Sequence, residues 1–454
     1  MATLFAKLRF WATQNQWRPW AMLTPALVLI ICLPLLRPLF WPGQPSQSEA
    51  LLMASVRSVV QGDALALDPN WAGAPGTVLV DQSTYAIRPP LFAVILAGQL
   101  YLLTTFTALD PVRDEAMISY LLTMIGVTLP TAVGASMLYR VARLFELPRP
   151  WRAAVALMCV MASGWISYAT VLSPHATATA FVTSSLMVVM LVGAARRVVF
   201  ALPWLLMAGL LAGLAVAIDP WTLQVVPVLL VVVLGFAVNV RQRLIAALLI
   251  VVGTLPVVWA HSAWSITTVG SFFPPVPSNL PDLSWADDRP DGSIEGFLPR
   301  VFTTLLGNNG LLAHFPLIIA GLVGMGIILR RHWPAHAKLL AGGMMLSLAV
   351  CVMMSSLGAS ELTGDMFAIR WSVTVLPIVL LFNGALLRDW LLQDRLTLGA
   401  SQGRLRARRW GTTLFIFALA YSVMCSLFGA TGALPERPYG GHTAFNAVGR
   451  AISR

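Results

Sequence analysis

Long uncharged stretches alternate with short basic ones along most of the chain. The apolar stretches fall at about 21–40, 117–141, 152–171, 176–195, 201–218, 222–239, 243–261, 312–330, 338–357, 371–388 and 411–430. Each runs for about 20 residues, enough for a helix rising about 1.5 Å per residue to cross ~30 Å of hydrocarbon. A twelfth apolar stretch, Leu91 to Leu109, reads either as a span or as a helix lying in the membrane interface. The pattern predicts an all-α polytopic membrane protein, a single membrane-embedded domain over 1–454. Lys7, Arg9 and Arg18 precede a full-length first stretch, which predicts a retained helix rather than a cleaved signal.

Charge decides between the two readings of 91–109. The chain is 57% hydrophobic and 11% charged, with a net charge of +11. In a soluble protein that balance would suggest nucleic acid. Here the basic residues sit in short loops, where they set topology. They form six clusters: Lys7/Arg9/Arg18, Arg140/Arg143/Arg149/Arg152, Arg196/Arg197, Arg241/Arg243, Arg330/Arg331, and Arg388 through Arg409. If 91–109 does not span, all six share the side of the N-terminus, with about eleven spans and the C-terminus outside. If it spans, five of the six move outside. The positive-inside rule therefore predicts interfacial helices in the first outer loop, 41–116. A second large outer loop falls at 262–311, and an outer tail at 431–454. Most of the acids land on the same outer side: Glu49, Asp63, Asp68, Asp81, Asp219, Asp282, Asp287, Asp288, Asp291, Glu295, Glu361 and Asp365.

Two chemistries lack sequence support. No Gly-rich phosphate loop occurs, and the inner loops are too short to hold a nucleotide. Cys32, Cys159, Cys351 and Cys425 all lie in apolar stretches, where cysteine acts as a packing residue. They show no metal-ligand spacing, so no metal site is predicted.

The polar segment after the first stretch carries the strongest motif. It gives Ser48-Glu49-Ala50-Leu51-Leu52-Met53-Ala54, then Gly62-Asp63, then Arg88-Pro89-Pro90-Leu91-Phe92. Later come Gly209-Leu-Leu-Ala-Gly-Leu-Ala, Leu306-Gly-Asn-Asn-Gly, and Arg370-Trp371 followed by Leu376-Pro377. In this order and topology the chain resembles the membrane glycosyltransferases of the type-C fold, such as protein O-mannosyltransferases and bacterial aminoarabinose transferases. The resemblance runs from about residue 20 to 390. Two departures stand out. Ser173-Pro174-His175 replaces a second family aspartate, and Asp219-Pro220-Trp221 stands where some members carry lysine.

The resemblance implies a polyprenyl-phosphate sugar as donor and a lipid, glycan or protein as acceptor. Transfer is expected at the outer face of a bacterial inner membrane. An acceptor hydroxyl must lose its proton as it attacks the anomeric carbon, and one carboxylate can take it. Glu49 is the expected base, with Asp63 as a second catalytic candidate. The bland reading of Glu49 is an acid in a helix's first turn, and that of Asp63 a turn residue after Gly62. Arg88 and Arg370 are expected on the lipid phosphate, since a guanidinium fork matches phosphate oxygens. Both could equally be interfacial arginines. His175 and Asp219 are expected beside them, with a hydrogen-bonded interface histidine and a helix stop as the plainer readings. Competing functions are a transporter or flippase of a lipid-linked solute, and a non-catalytic membrane scaffold. The spans are nearly charge-free at their centres and show no repeat, which disfavours transport.

Overall fold

The computed structural model describes residues 20–36, 47–63, 65–74, 76–86, 89–193, 201–236, 240–269, 294–307, 310–357, 372–396 and 402–431. The first helix, α1 (Trp20–Cys32), is followed by α2 (Gln47–Gln61), which is amphipathic and sinks Leu51, Leu52, Met53 and Val56 into the core. Gly62 ends α2 with φ +90. The Gly62 amide donates to Val59 O at 3.3 Å, and the Asp63 amide to Ser58 O at 3.0 Å. This is the Schellman pattern, and glycine takes the left-handed position without a steric penalty.

The chain then makes a feature the hydropathy pattern does not predict. β1 (Thr77–Val80) and β2 (Ser83–Ala86) pair antiparallel, with Val80 opposite Ser83. Asp81 and Gln82 both have positive φ, the geometry that matches a two-residue hairpin to strand twist. An all-α class is therefore right for the bundle and misses this hairpin. Pro89 caps and Pro90 opens α3 (Pro90–Phe106), which covers the apolar stretch assigned to the interface. Its Phe92, Leu96 and Leu100 are buried, while Tyr101 and Phe106 are exposed.

The bundle begins with α4 (Glu115–Phe145). A π-type turn at Met124–Thr128 interrupts it. Pro130 cannot donate to Gly126 O, and the hydroxyl of Thr177 donates there instead at 2.7 Å. There follow α5 (Arg149–Met161), α6 (Trp165–Ala169), α7 (Pro174–Gly193), α8 (Leu202–Ile218), a 3₁₀ turn (Pro220–Gln224), α9 (Val225–Leu234) and α10 (Val240–Val269). The remainder comprises α11 (Ile294–Leu306), α12 (Leu311–His314), α13 (Leu317–Arg330), α14 (Ala335–Leu357), α15 (Leu376–Leu381), α16 (Asn383–Leu396) and α17 (Gln402–Thr431).

Among the described residues, five helices are each long and apolar enough to cross a membrane, or six if one bent pair counts as a single span. Several stretches expected as single straight helices are broken. The one over 152–171 stops at Met161, because Gly164 turns left-handed at φ +76 against the ring of Phe315. The one over 371–388 breaks at Phe382, where the Asn383 side chain takes Leu380 O at 2.9 Å. Buried side chains satisfy such breaks, the condition for irregular backbone inside a membrane protein.

Contacts between elements sort the helix ends. Glu115 at the start of α4 pairs with Arg57 of α2. Trp264 near the end of α10 lines one small cavity with Leu52 and Ser55 of α2 and with Pro89–Pro90. Near the end of α17, Ser426 O accepts from the Ser167 hydroxyl at 2.6 Å and Ala430 O from Thr170 at 3.5 Å. All of these lie at the end of the bundle that carries Glu49. At the other end Arg388 of α16 pairs with Glu146, and Arg331 lies 2.5 Å from Asp389.

Candidate active site

Glu49 occupies the first turn of α2 and is half-buried. Its Oε1 accepts the backbone N–H of Leu172 at 2.9 Å. Leu172 belongs to the short link between α6 and α7, so the acid of the first polar segment docks onto the bundle 123 residues further on. The plainer role of an exposed first-turn acid does not need that contact.

Three residues after Leu172, His175 stands in the first turn of α7. Its Nδ1 lies 2.7 Å from Asp219 Oδ2, and the two side chains are 12% and 3% exposed. Asp219 ends α8 in an extended conformation ahead of Pro220. Its Oδ1 accepts the Trp221 amide at 3.2 Å, capping the following 3₁₀ turn. Both carboxylate oxygens are thus engaged, as a nearly buried acid requires. An Asp on Nδ1 fixes the tautomer and orientation of the imidazole, leaving Nε2 as its second polar atom. The ring of Tyr168 meets His175 edge-on at 5.8 Å between centroids.

Two fully buried hydroxyls in neighbouring segments have no hydrogen-bond partner among the described residues. Ser173 Oγ sits between Leu172 and His175, and Thr374 Oγ1 follows Val373, whose carbonyl lies 3.4 Å from the Thr179 hydroxyl. Thr179 also donates to His175 O at 2.7 Å. Beside α2 a small cavity opens between Leu52, Ser55, Tyr85, Pro89 and Trp264.

The structure brings Glu49, His175 and Asp219 to one end of the bundle and sets Asp63 apart. Asp63 lies past the far end of α2, about 20 Å along the axis at 1.5 Å per residue. It is exposed and serves the Schellman turn with its amide. Arg88 and Arg370 lie outside the described residues. His314 Nδ1 lies 2.9 Å from Gly310 O, one turn earlier in the chain. Among the described residues no three His, Cys, Asp or Glu side chains gather as a metal site would need. Sequence reading did not reach the Leu172 amide or the Ser173 and Thr374 hydroxyls, and it took Trp264 for an interface anchor. A backbone donor has no sequence signature, and buried hydroxyls in apolar helices look like ordinary packing.

Comparison with known proteins gives the fold its place. The sequence matches no family model and no curated protein. The structure aligns with the oligosaccharyltransferase AglB of Archaeoglobus fulgidus, solved with an inhibitory peptide and dolichol phosphate. That match has a TM-score of 0.53 at 11% identity and covers 90% of this chain and 56% of that one. It also aligns with ArnT of Cupriavidus metallidurans bound to undecaprenyl phosphate, at a TM-score of 0.52 and 17% identity. There 96% of this chain covers 78% of the other. The chain has the type-C glycosyltransferase fold. It spans little more than half the length of the archaeal enzymes it matches. This chain sets a His–Asp pair at the start of α7, beside a first acid that is glutamate.

Proposed function

We propose that this protein is a membrane glycosyltransferase that moves a sugar from a polyprenyl-phosphate donor to a hydroxyl of a lipid, glycan or protein. The observation that carries the reading is the Glu49 carboxylate docked on the Leu172 amide beside the buried His175–Asp219 pair. The fold supports it, since AglB and ArnT were solved with lipid phosphates.

In this reading the donor's tail stays in the bilayer and its phosphosugar lies at the Glu49 end, the outer face. Glu49 takes the proton of the acceptor hydroxyl. The acceptor oxygen bonds to the anomeric carbon as the bond from that carbon to the phosphate oxygen breaks. Polyprenyl phosphate leaves, and one displacement inverts the centre. The Leu172 amide holds one oxygen of the base in place. Arg88 and Arg370 meet the negative charge growing on the leaving phosphate. His175, oriented by Asp219, offers Nε2 to the phosphate or a sugar hydroxyl. Asp63 has no part in the step, because the length of α2 separates it from Glu49.

Glu49→Gln keeps the shape of the side chain and an acceptor for the Leu172 amide, and removes the basicity. Transfer from a synthetic polyprenyl-phosphate sugar in detergent should slow by about 10²–10⁴. Donor binding, titrated separately, should stay near wild type. Wild-type turnover in Glu49→Gln would overturn the assignment.

A further inference from the structure

At the end of the bundle opposite Glu49, three arginines follow one another across one helix junction, and among the described residues no acid pairs with them. Arg143 closes α4, and Arg149 and Arg152 open α5. Arg149 and Arg152, three residues apart, share one face of the first turn of α5, six to nine residues after Arg143. Arg152 spends its Nε on Leu147 O at 2.6 Å. Arg149 Nη1 is buried and has no hydrogen-bond partner among the described residues.

The nearby carboxylates are taken. Glu146 pairs with Arg388, whose guanidinium also lies 4.6 Å over the ring of Trp333. Asp389 pairs with Arg331. Among the described residues no carboxylate pairs with Arg143, Arg149 or Arg152. Topology signalling accounts for exposed arginines such as Arg140 and Arg143. It does not account for a buried guanidinium nitrogen left unpaired beside two like charges, an arrangement that costs free energy unless an anion completes it.

We infer that Arg143, Arg149 and Arg152 form a binding site for the phosphate of an anionic phospholipid headgroup. The guanidinium forks suit phosphate oxygens, and basic pockets between helices at the membrane surface take such headgroups. The partly buried Arg149 and Arg152 would reach the phosphodiester, and exposed Arg143 would close over it from the water side. The lipid tails would follow the apolar flank of the bundle. The site is distant from Glu49 and does not depend on what reaction occurs there.

The test uses the full-length protein in detergent, titrated with phosphatidylglycerol, with phosphatidylcholine of the same chains, or with inorganic phosphate. Thermal unfolding and native mass spectrometry read stabilisation and bound lipid. Phosphatidylglycerol should bind and raise the unfolding midpoint, and the other two should not. Arg143→Gln, at an exposed position that leaves the core intact, should weaken binding about fivefold. Arg149→Gln with Arg152→Gln should weaken it further. Arg113→Gln, which removes an exposed arginine at the Glu49 end, should leave it unchanged. Equal binding by phosphatidylcholine, equal stabilisation by inorganic phosphate, or unaltered lipid binding in Arg143→Gln would each overturn the proposal.

Discussion

The His175–Asp219 pair shows how one residue can serve two masters. Asp219 receives a helix-capping amide on one oxygen and an imidazole on the other, nearly out of water. Asp219→Ala leaves both donors unanswered, which costs about 1–3 kcal/mol. Asp219→Asn keeps an oxygen for the Trp221 amide and loses the charge that orients His175. The two variants should therefore separate stability from function. Alanine lowers both the unfolding midpoint and turnover, while asparagine recovers most of the midpoint and little of the turnover. Thermal unfolding and transfer assays on the same preparations check this. Wild-type turnover in Asp219→Asn would reduce the pair to a cap. The residue types at 49, 175 and 219 were legible as polar anomalies at the ends of apolar stretches. Their pairing was not, because 44 residues and most of two helices separate His175 from Asp219.

Among the elements, α8 and α10 show what small residues do between membrane helices. A Cβ at Gly209 would collide with Ile250 O, and one at Gly253 with Leu206 O. The Thr254 hydroxyl bonds Gly209 O at 3.0 Å across the same seam. Close backbone approach is the main source of helix association where lipid is as apolar as leucine. Gly253→Ala should force the two helices apart and destabilise by about 1–3 kcal/mol. Gly98 of α3 offers the contrast, since a Cβ there meets open space. Gly98→Ala should stabilise by about 0.5–1 kcal/mol through helix propensity. Unfolding midpoints in one detergent compare the two. The sequence marked the Gly209 motif as a small-residue helix. It did not show the partner face, since Gly253 lies in an ordinary apolar run.

For the whole molecule, relative sidedness follows from contacts that tie distant helix ends. Glu49, His175, Asp219, Trp264 and the end of α17 share one end. The arginines at 143, 149, 152, 331 and 388 share the other. We propose, from the positive-inside rule, that the arginine end faces the cytosol and the Glu49 end lies outside. In that arrangement α3 lies on the outer side, since it packs against α2 and the next helix begins at Glu115 on Arg57. A reporter after residue 431 should be active outside, and one inserted at 146–148 should be active only in the cytosol. A C-terminal reporter active only in the cytosol would refute the arrangement.

Composition and period alone determined that this is a helical membrane protein, where most of its apolar helices run, and which polar segment holds the first acid. Those features follow from the thickness of a bilayer and from the cost of leaving charge in it. Short-range chemistry also marked Gly62 as a turn. Only the tertiary structure decided that Asp63 stands a helix length from Glu49, that Leu172 holds the acid, and that Asp219 meets His175. It alone showed the hairpin at Asp81–Gln82, the breaks at Gly164 and Phe382, and a buried Arg149 Nη1 with no partner among the described residues. Each of these depends on which backbone and side-chain groups from distant segments find one another once the helices pack, and hydropathy along a chain carries no record of that.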